Sequence, residues 1–113
     1  MSRSWQLFLR DMLEAARKVM RYTDNRRLES FVADEMAYDA TLRNLAILGE
    51  AAKKIPEDIR ERYPAVDWRG VAGLRDILSH AYFAIDDATL WKIVRGDVPE
   101  LLVRLEQIEL QLP

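Results

Sequence analysis

"SWQLFLRDMLEAARKVMRY", residues 4–22, is the stretch whose reading decides the fold. Trp5, Phe8, Leu9, Met12, Leu13, Ala16, Val19 and Met20 recur at steps of three and four. On a helix of about 3.6 residues per turn that spacing gathers them on one apolar face, so a helix is expected from about Ser4 to Tyr22. Working outward, "TDNRR" at 23–27 supplies turn and capping residues, and "LESFV" at 28–32 reads as a short helical turn. "DEMAYDATLRNLAILGEAAKKI" at 34–55 repeats the helical pattern through Met36, Leu42, Leu45, Leu48 and Ala52, with Lys53 and Lys54 favourably placed near its carbonyl end.

Pro56 and Pro64 bracket another short helical piece, "EDIRERY". Asp67 is placed to cap the next helix, "WRGVAGLRDILSHAYF", in which Gly70 and Gly73 lower intrinsic propensity but would admit a close neighbour. "DDATLWKIVR" follows, with Gly96 as a C-terminal stop. "DVPE" then opens a last helix, Asp97 capping it and Glu100 three residues on. Its apolar stripe runs through Leu101, Leu102, Leu105, Ile108 and Leu112. Nothing alternates at period two. The expectation is an all-α chain of four to five substantial helices, forming one domain over residues 1–113.

Composition narrows the function. Half the residues are hydrophobic and 32% charged, which suits a packed globule and not a disordered chain. With no cysteine and one histidine, thiolate chemistry is absent and a protein-built zinc or iron site is not expected. No apolar run approaches the ~18 residues of a membrane span. Asp11 and Glu14 interrupt the segment that a signal peptide would keep apolar, so a cytoplasmic location is expected. A net charge of −2 gives no global pull on nucleic acid. Thirteen of the seventeen basic residues are arginines, which favours local forked contacts to phosphate or carboxylate.

The single histidine lies in "GLRDILSHAY", residues 73–82, five positions after Arg75 and two before Tyr82. On an ideal helix Arg75, Ser79 and Tyr82 fall within about 40° of one another, whereas His80 lies about 140° round from Arg75. The pair converges only if the guanidinium reaches around, if the helix end loosens, or if a second chain completes the site. Asp76, one turn before His80, is placed to hold or charge the imidazole. By spacing alone two readings stand. One is a packed histidine with a salt-bridged arginine and a packing tyrosine, and Arg-x4-His often occurs by accident. The other is acid–base chemistry at a phosphate, the imidazole moving protons and the guanidinium holding transition-state charge. RNA cleavage through a 2′-hydroxyl needs both a base and an acid. One histidine per chain therefore argues for a two-fold dimer if the enzyme reading holds.

Together, the "LGEAAKK" block at 48–54, "PAVDW" at 64–68 and the ordered Arg75, His80 and Tyr82 resemble the HepT-like branch of the HEPN superfamily. That branch is the toxin half of modules paired with a minimal nucleotidyltransferase, and the similarity runs over essentially the whole chain. The resemblance implies a HEPN-type helical bundle that forms a two-fold homodimer. It implies a metal-independent endoribonuclease without cofactors, cleaving transfer or messenger RNA in a cleft shared by both subunits. Arg75 and His80 are then the catalytic pair. Tyr82 becomes the site at which the nucleotidyltransferase antitoxin adds AMP from ATP, placing bulk and negative charge where RNA phosphate must sit. Many relatives carry an acid between the histidine and the tyrosine; here the residue is Ala81, and Asp76 is the nearest replacement.

Glu50 is a further candidate, either in the site or as a polar closure of a helix contact, to Arg75 or across the dimer. Ser79 is carried as a supporting residue. The alternative function is a catalytically silent helical module that binds a nucleotidyltransferase, and a purely structural helical dimer is a third reading. Trp5, Trp68 and Trp91 sit at helical spacing and read as packing residues before base-stacking ones. Gly49, Ala51 and Ala52 read as close helix packing. "NRR" at 25–27, Arg60 and Arg62 are surface charges that would track RNA phosphates only if they face the cleft.

Overall fold

The computed structural model describes residues 4–80 and 86–112, with the backbone alone at positions 77, 79 and 80. Among the described residues there is no strand. Helix α1 (Trp5–Thr23) is followed by α2 (Leu28–Ala33), α3 (Glu35–Lys53), α4 (Glu57–Arg62), α5 (Trp68–His80) and α6 (Asp87–Lys92). A π-helical segment (Ile93–Asp97) then leads into α7 (Val98–Leu110). α6, the π segment and α7 run on without a break, so the frame is four long rods with two short helices between them.

The apolar stripe of α1 is buried as its spacing requires. Leu9, Met12, Leu13, Ala16 and Val19 are each at most 2% exposed, and Trp5, Phe8 and Met20 flank them against the same core. α3 lies along one side of α1 and contributes Leu45, Leu48 and Ala52; α7 lies along another and contributes Leu101, Leu105 and Ile108. Burying a leucine in such a seam stabilises the fold by roughly 1.5–3 kcal/mol. Phe31 closes one end, its ring 5.5 Å from that of Tyr38 and 5.2 Å from that of Trp91. Trp68 is buried with its indole N–H donating to the Tyr63 carbonyl at 3.0 Å. All three tryptophans thus serve packing.

Local signals set most boundaries. Asn25 takes φ 57° in the turn after α1, a left-handed conformation that asparagine tolerates better than most residues. The Asp34 carboxylate caps α3 by accepting the Ala37 N–H at 3.1 Å. That bond, followed by the contact with Arg26, holds its carboxyl below the usual range. Asp67 caps α5 by accepting the Gly70 N–H at 3.0 Å.

Three expectations are corrected. Met36 is 84% exposed, because the buried stripe of α3 begins one position later, at Ala37, and continues through Thr41 and Leu45. Gly96 does not stop a helix, nor does Asp97 cap one: Asp97 is already helical at φ −72° and ψ −42°, with no side-chain cap bond. The cause is Pro99, which has no N–H to donate to residue 95 and whose ring crowds that carbonyl. The chain widens one turn instead of breaking, and the Val98 N–H bonds the Ile93 carbonyl five residues back. Nor do Gly70 and Gly73 admit a close neighbour. The nearest atoms that a Cβ at Gly70 would meet belong to the capping Asp67 side chain, and among the described residues one at Gly73 would meet nothing within 4 Å. No helix among the described residues is long and apolar enough to cross a membrane.

Candidate active site

α5 runs back along α3, and the two meet most closely at Gly49. A Cβ there would lie 2.8 Å from the backbone N of Arg75 and 3.1 Å from the Val71 carbonyl oxygen. Only the missing side chain lets α3 reach the α5 backbone at Arg75. On the next residue, Glu50 Oε2 lies 2.8 Å from Arg75 Nε. The oxygen is shielded from solvent and the contact is a close ion pair without the alignment of a hydrogen bond. One turn on, Lys53 Nζ lies 3.2 Å from Asp76 Oδ1. Ala51 and Ala52, between these charged residues, face the core. "GEAAK" is therefore a platform: a gap for the α5 backbone, then an anchor for each of two consecutive charged residues on α5.

These bridges position more than they stabilise. The side chains of Glu50 and Arg75 are 47% and 51% exposed, and pairs that open to water contribute about 0–1 kcal/mol. A guanidinium has five N–H donors in a planar fork, so an arginine held through Nε still presents its terminal nitrogens to a second anion.

Of the residues singled out in the sequence, the fold brings together Arg75, Asp76 and Glu50. His80 is the last residue of α5. Its side chain and that of Ser79 lie outside what is described, as do Ala81 and Tyr82. Two contacts have no local sequence signal. Lys53 reads from sequence as a dipole-complementing lysine, yet it bridges to Asp76. The Tyr38 hydroxyl donates to Asp87 Oδ1 at 3.0 Å, tying the start of α6 to α3 across 49 positions of sequence. Burial first, and the Asp87 carboxylate second, push the Tyr38 phenol above its ordinary range. Among the basic residues considered for RNA contact, Arg26 is committed to Asp34 at 2.8 Å. Among the described residues no three His, Cys, Asp or Glu side chains gather closely enough to hold a metal ion.

Comparison with known proteins joins this geometry to a family. The model of the ribonuclease HepT-like family matches residues 12–108. The chain belongs to that family. Among HepT-like relatives, it is similar to the probable ribonuclease HepT of Thermococcus cleftensis, 39% identical over 108 residues, covering 96% of this chain and 98% of the relative. Two proteins of Methanocaldococcus jannaschii whose names mark them as candidate RNases are comparably similar. One is 42% identical over 104 residues, covering 92% of this chain and 95% of the relative. The other is 39% identical over 106 residues, covering 94% and 88%. No solved structure matches the chain at a significant level. The all-helical architecture agrees with the HEPN-type bundle that the sequence resemblance implies.

Proposed function

We propose that this HepT-like chain is an endoribonuclease, the toxin of a toxin–antitoxin module, acting without a metal at a site shared between two copies of α5. The observation that carries the reading is Arg75. It is half-exposed, held through Nε by Glu50, and one turn and a half before His80 on the same helix, in a chain that matches a ribonuclease family over most of its length.

In the proposed reaction His80 of one protomer takes the proton from a ribose 2′-hydroxyl. The oxygen attacks the adjacent phosphorus, and Arg75 spreads the charge on the pentacovalent centre through its terminal nitrogens. The bond to the 5′-oxygen breaks, that oxygen takes a proton from the second protomer's imidazole, and a cyclic phosphate remains on the upstream piece. The substrate class is transfer or messenger RNA. Glu50 is a positioning residue, and Asp76 and Ser79 support the helix end that carries His80. The nucleotidyltransferase antitoxin silences the site by transferring AMP from ATP to the Tyr82 oxygen, with pyrophosphate leaving. Such a reaction places the protein where RNA is, in the cytoplasm.

Purified, unmodified protein is expected to cleave RNA with chelator present. His80→Ala should reduce the rate by about 10²–10⁴-fold, the usual span for a lost acid–base group. Cleavage that survives His80→Ala would remove the mechanism. Incubation with the antitoxin and ATP should add one adenylyl mass to the wild type and none to Tyr82→Phe. One specific observation favours the silent-module alternative: Arg75 and Asp76 are both already engaged by α3. It predicts no cleavage and no growth arrest when the chain is expressed without its antitoxin.

A further inference from the structure

The four rods stand in the order α5, α3, α1, α7, each packed along the next, and among the described residues α5 and α7 show no comparable packing. The bundle is therefore open along the α5–α7 seam. A cleft of about 340 Å³ occupies the opening, lined by the first half of α5 on one side and by the π segment and α7 on the other. Its floor is aliphatic, with Val71 and Leu74 facing Ile93 and Leu101. Its rim is acidic. Arg104 pairs with Glu100 at 2.8 Å, and among the described residues no ion pair engages the carboxylates of Asp67 and Asp97 on the two sides of the cleft. Asp67 accepts the Gly70 backbone N–H, and Asp97 makes no cap bond.

We infer that this cleft is a docking groove for an amphipathic segment of a protein partner. The segment inserts aliphatic side chains between Leu74 and Leu101 and presents lysine or arginine to Asp67 and Asp97. Two helix edges either side of an apolar floor receive a third helix in the way that helices pack on one another. Charge selects the occupant. RNA phosphate would be repelled by the rim, so the groove is distinct in chemistry from the Arg75 site. A second copy seated by two-fold symmetry would bring the same two carboxylates against themselves, a like-charge contact that opposes such pairing. The π segment supplies Ile93 and Asp97 to this lining, and Val98 follows directly after it. The inference does not depend on the chain's being a nuclease.

The test uses full-length ¹⁵N-labelled protein and two synthetic helical peptides with the same leucine face, one flanked by lysines and one by glutamates. The lysine peptide should shift the Gly70 and Asp97 amides, bind at least tenfold more tightly than the glutamate peptide, and weaken with salt. Leu74→Glu and Asp97→Lys should each reduce its affinity at least tenfold, with helicity by circular dichroism unchanged. Asp97 is exposed, so Asp97→Lys decides the matter even if Leu74→Glu fails to fold. The inference is overturned by equal binding of the two peptides or by shifts that map elsewhere. It is overturned equally if single-stranded RNA shifts the same amides, or if Asp97→Lys changes the sedimenting mass, which would make the groove a contact between copies.

Discussion

α3 has two seams, and they are built from different chemistry. Toward α1 it presents Leu45, Leu48 and Ala52 to a face of Leu9, Met12, Leu13 and Val19, all of them buried. Toward α5 it presents a glycine that admits backbone, then two charged side chains that reach Arg75 and Asp76 at half-exposed positions. The first seam removes apolar area from water and supplies stability. The second contributes little by burial, since its ion pairs stay wet, but it fixes where a guanidinium sits. Stability and side-chain placement are thus separated on two different faces of one helix, and substitutions on the two faces should have contrasting signatures.

The largest stability effect belongs to the α1 seam. Leu13→Ala leaves a cavity beside α3 and should lower unfolding free energy by about 2–5 kcal/mol in denaturant titrations. Cleavage per folded molecule should stay near wild type. A specific activity that falls in step with stability would dissolve the contrast.

Gly49→Ala comes next. Its methyl would stand 2.8 Å from the Arg75 backbone nitrogen, so α5 must shift. The strain should cost about 1–3 kcal/mol, less than the leucine truncation. RNA cleavage should nevertheless fall further than in Leu13→Ala, because the displaced element carries Arg75. Equal activity in the two variants would show that the close approach is only packing.

The smallest effect is at Tyr38, which ties α6 to α3. Tyr38→Phe should remove about 0.5–1.5 kcal/mol, the net worth of one hydrogen bond. It should also alter the alkaline limb of the stability profile. The folded phenol holds its proton more tightly than an unfolded one, so this contribution is full below about pH 10 and is lost as pH rises through the raised folded value. The wild type should lose more stability than Tyr38→Phe across that window. Parallel alkaline limbs would mean that Asp87 does not depend on the phenol.

Much of the first seam was legible in the sequence, because helical periodicity reports burial directly. The steps of three and four from Trp5 to Met20 placed α1 within a residue at each end, the prolines at 56 and 64 bounded α4, and Asp67 was a cap with a mechanism. The misreadings came where a local signal met a tertiary remedy. Gly96 and Pro99 together look like a helix boundary, but one widened turn absorbs the proline and the rod continues. Met36 keeps the apolar rhythm of α3 on an exposed turn.

The second seam was legible only in part. Gly49 and its alanines pointed to close packing, and a contact from Glu50 to Arg75 was among the readings. Nothing local told that Lys53 would cross to Asp76 or that Tyr38 would reach Asp87, since both partners are distant in sequence. The roles of His80 and Tyr82 rest on family resemblance, and helical spacing alone placed the imidazole away from the guanidinium.

The most direct test of the seam as a catalytic platform is a double-mutant cycle on RNA cleavage, comparing Arg75→Ala, Glu50→Gln and the pair with the wild type. If Glu50 works by holding Arg75, Glu50→Gln slows cleavage while the double variant is no slower than Arg75→Ala alone. Losses that simply multiply would show that the two residues act separately, and the platform account would be wrong.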